Sequence, residues 1–184
     1  MFSLSCEVHP RLDQWDRMRS AAASRWLLLT LLCIIASTHA QTVMTLPGGR
    51  IYQGDLEDGE PYGVGTMVYP NSTRYQGEFV AGYREGRGMA IFYDASRYEG
   101  EWRNDIPHGR GVYEWPSGER YEGDVVENKR SGRGVMTFRD GTLYHGEWRD
   151  DTMNGQGVMT LPNGERREGL FVNGEWRGAV RTQP

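Results

Sequence analysis

One tyrosine recurs every 23 residues along most of the chain, and this repeat constrains the fold more than any other feature. The spacing has no insertion or deletion, and an arginine fills the sixth position; the series is Tyr52, Tyr75, Tyr98, Tyr121, Tyr144 and Arg167. A fixed period of roughly 20 to 50 residues is typical of repeat architectures, in which each unit packs only on its neighbours. The sequence therefore predicts an array of small equivalent units rather than a domain built around one pocket.

Each unit contains two short segments of aromatic and β-branched residues that are separated by turn residues. In the unit that starts at Tyr98, the first segment reads YEGEW and the second reads GRGVYEW, which ends at Trp115. Segments of this composition bounded by turns are typical of strands that pair as a β-hairpin. We therefore expect an all-β fold, namely an elongated, single-layer, twisted antiparallel sheet of tandem β-hairpins.

Partial copies of the unit flank the five complete ones. The sequence VMTL at 43–46 repeats VMTL at 158–161 and predicts a lone opening strand. The unit at Arg167 lacks the tyrosine and the acid, and it is expected to end the array as a degenerate cap. Its first half predicts a last strand over 168–172, followed by a turn over 173–177. One opening strand, five hairpins and one closing strand give about twelve strands.

The side chains of a strand alternate between the two faces of a sheet. Tyr98, Gly100 and Trp102 therefore share one face, and we expect its rings to lie over glycines of neighbouring strands, where no Cβ blocks close approach. The glycines could also mark β-bulges, and the sequence allows both roles. A thin sheet cannot bury a deep core, so part of this aromatic face is predicted to stay open for binding. The candidate interaction face comprises Tyr75, Phe79, Tyr98, Trp102, Trp115, Tyr121, Tyr144 and Trp148.

The opposite face carries acids and arginines at fixed positions of the unit. The acids are Glu78, Glu101, Asp124 and Glu147, and the arginines are Arg87, Arg110 and Arg133. Hairpin pairing is expected to bring the acid and the arginine of one unit side by side, which would help to set the register. A candidate basic strip for anionic ligands comprises Arg87, Arg110, Arg130 and Arg133.

The tandem combination of YEGEW and GRGVYEWPSG every 23 residues resembles the MORN repeat (membrane occupation and recognition nexus). Four units over 75–166 match nearly completely, and the unit at Tyr52 has Leu56 in place of the aromatic residue. The resemblance implies a repeat array, over 41–178 in this chain, with a short tail over 179–184. It also implies a role as a scaffold or oligomerisation platform, and an association with phospholipids.

Residues 1–40 differ in composition from the rest of the chain. They lack glycine, hold both cysteines and include an apolar run, WLLLTLLCIIA, which starts at Trp26 and is followed by small residues up to Ala40. Arginines precede this run, as in a secretory signal peptide. We expect translation to start at Met18 and cleavage to follow Ala40, which gives a secreted or periplasmic protein of residues 41–184. The alternative is an uncleaved segment that anchors the chain in a membrane.

The sequence of the expected mature chain shows no motif for catalysis or metal binding. It contains no cysteine, and His108 and His145 stand 37 residues apart without ligand spacing. The Gly-x-Gly motifs recur with the repeat and do not begin a helix, as a phosphate-binding loop would. We therefore expect no enzymatic activity, no cofactor, no metal, no nucleic acid and no small-molecule substrate.

The charge of the expected mature chain bears on its partners. Without the four arginines and three acids of residues 1–40, 17 basic and 22 acidic residues remain, a net charge of −5. Anionic lipid attracts clusters of Lys and Arg, so this composition favours weak membrane binding at most. The sequence predicts a non-catalytic scaffold that binds a protein partner or a second copy through its aromatic face. The alternatives are peripheral binding to phospholipid and binding to a glycan or cell-wall polymer.

Overall fold

The computed structural model describes residues 42–179, which form one open antiparallel sheet of thirteen strands. The order of the strands in the sheet is their order in the chain, so every strand pairs with its sequence neighbours. The strands are β1 (Thr42–Leu46), β2 (Arg50–Glu57), β3 (Glu60–Val68), β4 (Arg74–Val80), β5 (Tyr83–Ile91), β6 (Arg97–Arg103), β7 (Ile106–Glu114), β8 (Arg120–Val126), β9 (Lys129–Thr137), β10 (Leu143–Arg149), β11 (Thr152–Thr160), β12 (Arg166–Val172) and β13 (Glu175–Gly178). The predicted all-β sheet of tandem hairpins is confirmed.

The strand count exceeds the predicted twelve because the degenerate last unit still forms a hairpin. Asn173 and Gly174 make a two-residue turn with φ of +51° and +83°. β13 then pairs with β12, so the turn predicted over 173–177 is wrong beyond Gly174. The strand was missed because the aromatic and glycine pattern of the earlier units is lost in this segment.

A two-residue turn closes the hairpin within each unit, from β2–β3 to β12–β13. Both central residues have positive φ, as at Asn104 (+47°) and Asp105 (+67°) or at Ala81 (+48°) and Gly82 (+81°). This is the geometry of a type I′ turn, whose twist matches that of the flanking strands. The turn of one unit also donates a backbone N–H to the preceding unit, for example from Asp105 to the carbonyl oxygen of Arg84 at 3.0 Å. Successive hairpins are therefore linked at their tips as well as along their edges.

A β-bulge interrupts each complete hairpin at the first glycine of its Gly-x-Gly motif. Between β4 and β5 the register shifts after Gly77, and Gly86 has φ of +63°. The Glu78 carboxylate accepts the backbone N–H of Arg87 at 2.9 Å across this bulge. The acid of a unit thus binds the backbone beside the arginine and not the guanidinium, so the predicted side-by-side ion pair is wrong. The Arg87 side chain instead faces the acid of the following unit, because Arg87 pairs with Glu101 across β5 and β6.

The second glycine of the motif has a different role, because the repeated tyrosine lies over it. Tyr98 is fully buried, and a Cβ added to Gly111 would lie 2.4 Å from its ring. A Cβ added to Gly100, on the tyrosine's own strand, would likewise lie 2.6 Å from the hydroxyl oxygen. That hydroxyl donates a hydrogen bond to the carbonyl oxygen of Glu101 at 2.9 Å. Ring-over-glycine packing is confirmed, and bulge glycines occur beside it at separate positions.

A second aromatic residue wedges between the tyrosines of consecutive units. Phe79 contacts Tyr52 and Tyr75 edge to face, with ring centroids 5.2 and 5.1 Å apart. Trp102 stands in the same way between Tyr75 and Tyr98, at 5.1 and 5.3 Å. Edge-to-face rings at this distance gain favourable quadrupole contacts beyond the area that they bury. Among residues 42–179, the aromatic face therefore forms a continuous core with no second layer of structure over it.

The core compensates for one small residue at the position that Phe79 and Trp102 occupy in their units, which we call the wedge position. The fourth unit has Val125 in this position, and the preceding strand, β7, carries Tyr113. The Tyr113 hydroxyl donates a hydrogen bond at 2.6 Å to Oδ1 of Asn128, which follows Val125 in the chain. Where the wedge is the large Trp102, the position equivalent to Tyr113 holds Ala90. Both members of each combination are buried. In these two combinations a large residue at one position accompanies a smaller one at the other, which keeps the core filled.

Candidate interaction surfaces

The residues of the candidate interaction face lie inside the core. Tyr75, Tyr98, Tyr121 and Tyr144 have no exposed surface, and the exposed fractions of Phe79, Trp102 and Trp148 are 1%, 3% and 5%. Trp115 alone of this set is half-buried, and it stacks on Tyr113. A partner that contacts these seven buried rings would have to open the sheet. The expectation that part of this face stays open is therefore corrected for these seven rings, because close ring-over-glycine and edge-to-face packing lets them cover one another.

The tyrosine hydroxyls of this core are held in their neutral form. Burial raises the pKa of Tyr144 to about 12, and the nearby Glu147 carboxylate adds to the effect. Burial also raises the pKa of Tyr98 and Tyr121 well above the ordinary value. The hydroxyl of Tyr144 donates to the carbonyl oxygen of Glu147 at 3.0 Å. These groups act as structural donors at neutral pH.

Arg130 does not belong to the basic strip, because it lies on the aromatic face. Its guanidinium carbon is 4.5 Å from the ring centroid of Trp148, and its Nε is 3.0 Å from Asp151 Oδ1. A further guanidinium nitrogen donates to the carbonyl oxygen of Asp151 at 2.9 Å. The grouping of Arg130 with Arg133 is wrong, because the two residues are three positions apart and successive positions of a strand alternate between the faces.

Arg84 makes the same contacts two units earlier. It lies 4.4 Å from the ring centroid of Trp102, and its Nε is 2.9 Å from Asp105 Oδ1. The sequence contains a signal for this arrangement, because arginine, tryptophan and aspartate appear together in these three positions at a spacing of 46 residues. Each such cluster joins the wedge ring to the hairpin tip of its own unit through an arginine of the unit before.

Arg87, Arg110 and Arg133 do lie together on the charged face, but acids separate them. Arg110 pairs with Asp124 across β7 and β8, and its Nε is 3.3 Å from Asp124 Oδ1. Arg133 pairs with Glu147 in the same way across β9 and β10. An open cleft of about 440 Å³ lies in this row of side chains, lined by Glu78, Glu85, Gly86, Arg87, Glu101, Trp102, Arg103 and His108. The row is electrically mixed and is not a basic strip.

A group of exposed apolar residues was missed at the tips of the first two hairpins. Tyr62, Val64, Val80 and Tyr83 are exposed by 42%, 63%, 49% and 54%. Val64 pairs with Glu78, Tyr62 pairs with the charged-face residue Asp55, and Val80 pairs with Tyr83. All four therefore lie on the charged face within three neighbouring strands, β3 to β5. We call them the apolar patch.

Other functional features are limited in the described part of the chain. Residues 42–179 include no group of three or more His, Cys, Asp or Glu side chains placed to hold a metal ion. The same residues include no helix of the length and hydropathy that a membrane span requires. The predicted signal segment, residues 1–40, lies outside the described residues.

These features define a repeat sheet whose units share one tyrosine-over-glycine core. The profile of the MORN repeat matches five consecutive segments, 52–74, 75–97, 98–120, 121–143 and 144–166. The matched segments cover more than half of the sequence, and the chain belongs to the MORN repeat family.

Comparison with solved structures gave similarities of low sequence identity. One is the TCP domain of SAS-4 (dCPAP) of Drosophila melanogaster in complex with a proline-rich motif of Ana2 (dSTIL), with 15% identity, a TM-score of 0.40, and coverage of 80% of this chain and 92% of that chain. Another is the wild-type TCP10 domain of Danio rerio CPAP, with 15% identity, a TM-score of 0.42, and coverage of 71% and 65%. Similarity at this level does not indicate what this chain binds. The comparison with curated protein sequences gave no match.

Proposed function

We propose that this protein is a non-catalytic protein-interaction module that works after export from the cytoplasm. The observation that carries the proposal is the difference between the two faces of the sheet. The rings on one face form the core by themselves, so the charged face is not needed for packing. That charged face runs across thirteen strands and presents side chains that differ from unit to unit. A rigid surface of this kind suits recognition of a partner protein.

Binding to anionic lipid is less well supported than binding to protein. A polybasic surface gains about 1 kcal/mol per Lys or Arg near such a membrane. In this chain each arginine of the row faces an acid on the next strand, and Arg130 is paired with Asp151 on the other face. Recognition of a glycan on the predicted aromatic face is also weakly supported, because its rings are buried.

Export is part of the proposal and rests on the sequence of residues 1–40. The arginines before the apolar run at Trp26, and the small residues that end at Ala40, support cleavage before Gln41. On this view the array begins at residue 41 and ends at 178. Mass spectrometry of the exported protein should find Gln41 at the N-terminus. A product that keeps residues 26–40 would support a membrane anchor in its place.

Site-specific photo-crosslinking in the native host tests the interaction itself. A photoreactive residue at Glu99, Glu122 or Val135 would sit on exposed positions of the charged face. Matched controls carry the same residue at Ser117 or Asn163, which lie in exposed turns between units. We expect a discrete protein adduct from the charged face and none from the turns. Adducts only from the turns, or from no position, would contradict the proposal.

A further inference from the structure

Two residues of the apolar patch, Tyr62 and Val64, have no apolar counterpart in the four complete units that follow. The position of Val64 holds Arg87, Arg110 and Arg133 in the next three units. The position of Tyr62 holds polar or charged residues later in the chain, namely Glu85, His108, Ser131 and Asn154. The array therefore accepts a charged side chain at the site of Val64 without change of fold. The exposed valine is not required by the repeat, which makes a binding role the simplest account of it.

The charges around the apolar patch are also unlike those of later units. Six acids lie in the first two hairpins: Asp55, Glu57, Asp58, Glu60, Glu78 and Glu85. None of them forms an ion pair within residues 42–179, where all eleven ion pairs join residues from Arg84 onward. Glu78 and Glu85 do accept backbone N–H groups, from Arg87 and Asn104. The patch is therefore bordered by negative charge that the described protein leaves without a cationic partner.

We propose that the apolar patch binds an extended segment of a partner protein in which lysine or arginine residues flank a short apolar run on both sides. This inference rests on the proposed function and names the chemistry of its partner. The apolar side chains would cover Tyr62, Val64, Val80 and Tyr83, and the cations would face the bordering acids. The patch crosses three strands, a width of roughly 10 Å at about 4.8 Å per strand, so three or four residues of an extended segment span it.

Charge complementarity favours this occupant over the other candidates. An anionic membrane would be repelled by the bordering acids. A second copy that docked its own apolar patch in a two-fold arrangement would bring the same acids together, and like charges across an interface oppose association. A cationic segment gains from both features, since its apolar side chains bury exposed surface and its charges meet unpaired carboxylates.

The test is fluorescence anisotropy of the purified protein with a labelled nonapeptide that has three lysines on either side of three leucines. A second peptide has glutamate in place of lysine, and a third has serine in place of leucine. We expect binding of the first peptide only, with an affinity that falls at least tenfold between about 0.05 M and 0.5 M salt. Val64→Arg should weaken this binding at least tenfold, and its fold should be retained because arginine occupies the same position in later units. Circular dichroism and the urea midpoint check that retention.

Two further variants keep the test decisive. Glu57→Gln combined with Glu60→Gln removes charge from an exposed hairpin tip and should weaken binding at least fivefold, even if Val64→Arg fails to fold. Arg133→Val is the matched control, because it places valine at the equivalent position of a later unit, and it should leave the affinity unchanged. Absence of binding at low salt, equal affinity of the folded Val64→Arg variant, or equal binding of the serine peptide would overturn the inference.

The result also separates this inference from the proposed function. If Val64→Arg still gives the photo-adducts from Glu99 or Glu122, the interaction module stands and the docking site for a cationic segment is wrong. Sedimentation of the wild-type protein tests the remaining candidate occupant, which is a second copy of the chain. A dimer that becomes monomeric with Val64→Arg would show that the patch binds a second copy and not a cationic segment.

Discussion

Substitution of Gly111 by alanine is the sharpest perturbation of the core that the structure suggests. The new Cβ would lie 2.4 Å from Cε2 and 2.5 Å from the hydroxyl oxygen of Tyr98, far inside van der Waals contact. The ring would have to leave its place, and its hydroxyl would lose the hydrogen bond to Glu101. One methyl group should therefore displace a whole buried side chain.

The size of the effect follows from what Tyr98 would lose. Full burial of its ring removes roughly 150–200 Å² from water, which is worth about 4–5 kcal/mol at 25 cal/mol/Å². Loss of the hydroxyl hydrogen bond adds about 1 kcal/mol. Since the ring can keep part of its contacts after it moves, we expect Gly111→Ala to lower the free energy of unfolding by about 3–5 kcal/mol.

Urea unfolding followed by tryptophan fluorescence measures this effect, with two matched comparisons. Gly118→Ala changes a turn glycine that has φ of +92° and no atom near its Cβ site, so only backbone strain of about 1–2 kcal/mol is expected. In a Tyr98→Ala background the ring is absent, and Gly111→Ala should cost less than about 1.5 kcal/mol. A cost of Gly111→Ala no larger than that of Gly118→Ala, or the same cost with and without Tyr98, would contradict the close packing of the ring on Gly111.

Three further predictions concern the core and its charges. Val125→Trp should destabilise the protein by about 1–3 kcal/mol by overpacking, and Tyr113→Ala in the same chain should recover most of that loss; additive losses in urea unfolding would argue against compensation. Arg130→Lys should cost about 1–2 kcal/mol, because lysine lacks the planar fork that binds Asp151 over the Trp148 ring; a urea midpoint equal to wild type would count against this role. Burial raises the pKa of Tyr144 to about 12, so the folded state keeps a proton that the unfolded chain loses near pH 10, and the free energy of unfolding should fall as the pH rises from about 10 to 12; urea midpoints that stay constant over that range would contradict it.

The fold itself was accessible from the sequence because its unit repeats without insertions. Alternation along YEGEW places Tyr98 and Gly100 on one face, and the 23-residue period fixes the pairing of every strand with its neighbours. Those two facts were enough to predict the sheet, the hairpins and the packing of rings over glycines. The bulges were left open, because the sequence does not distinguish Gly109, which has φ of +66°, from the ring-covered Gly111.

The burial of the aromatic face was not predicted, because it depends on contacts between units. Alternation shows which face Trp102 is on, but not that it stands between Tyr75 and Tyr98 at about 5 Å from each. The repeated tyrosines and the aromatic residues between them cover each other and leave little aromatic surface for a partner. The residues of the candidate interaction face do lie on one face of the sheet, but seven of the eight side chains are buried.

The charged residues show a different limit of sequence reasoning. Arg130 and Arg133 stand close in the chain, but they point to opposite faces because three positions separate them along β9. Val64 could have been found, because it replaces an arginine that the next three units share. Comparison of each unit with its copies is thus more informative about binding than the shared pattern, which mostly encodes the core.

Hydroxyl-radical footprinting of the native protein tests most directly the claim that one face is core and the other is surface. We expect Tyr98 and Trp102 to be protected at least tenfold relative to Tyr83 and Tyr93, which are exposed by 54% and 75%, and we expect the difference to disappear in urea. Labelling of Trp102 as fast as that of Tyr93 in the folded protein would show an open aromatic face. That result would contradict burial of the rings in the core and would make them candidate binding residues again.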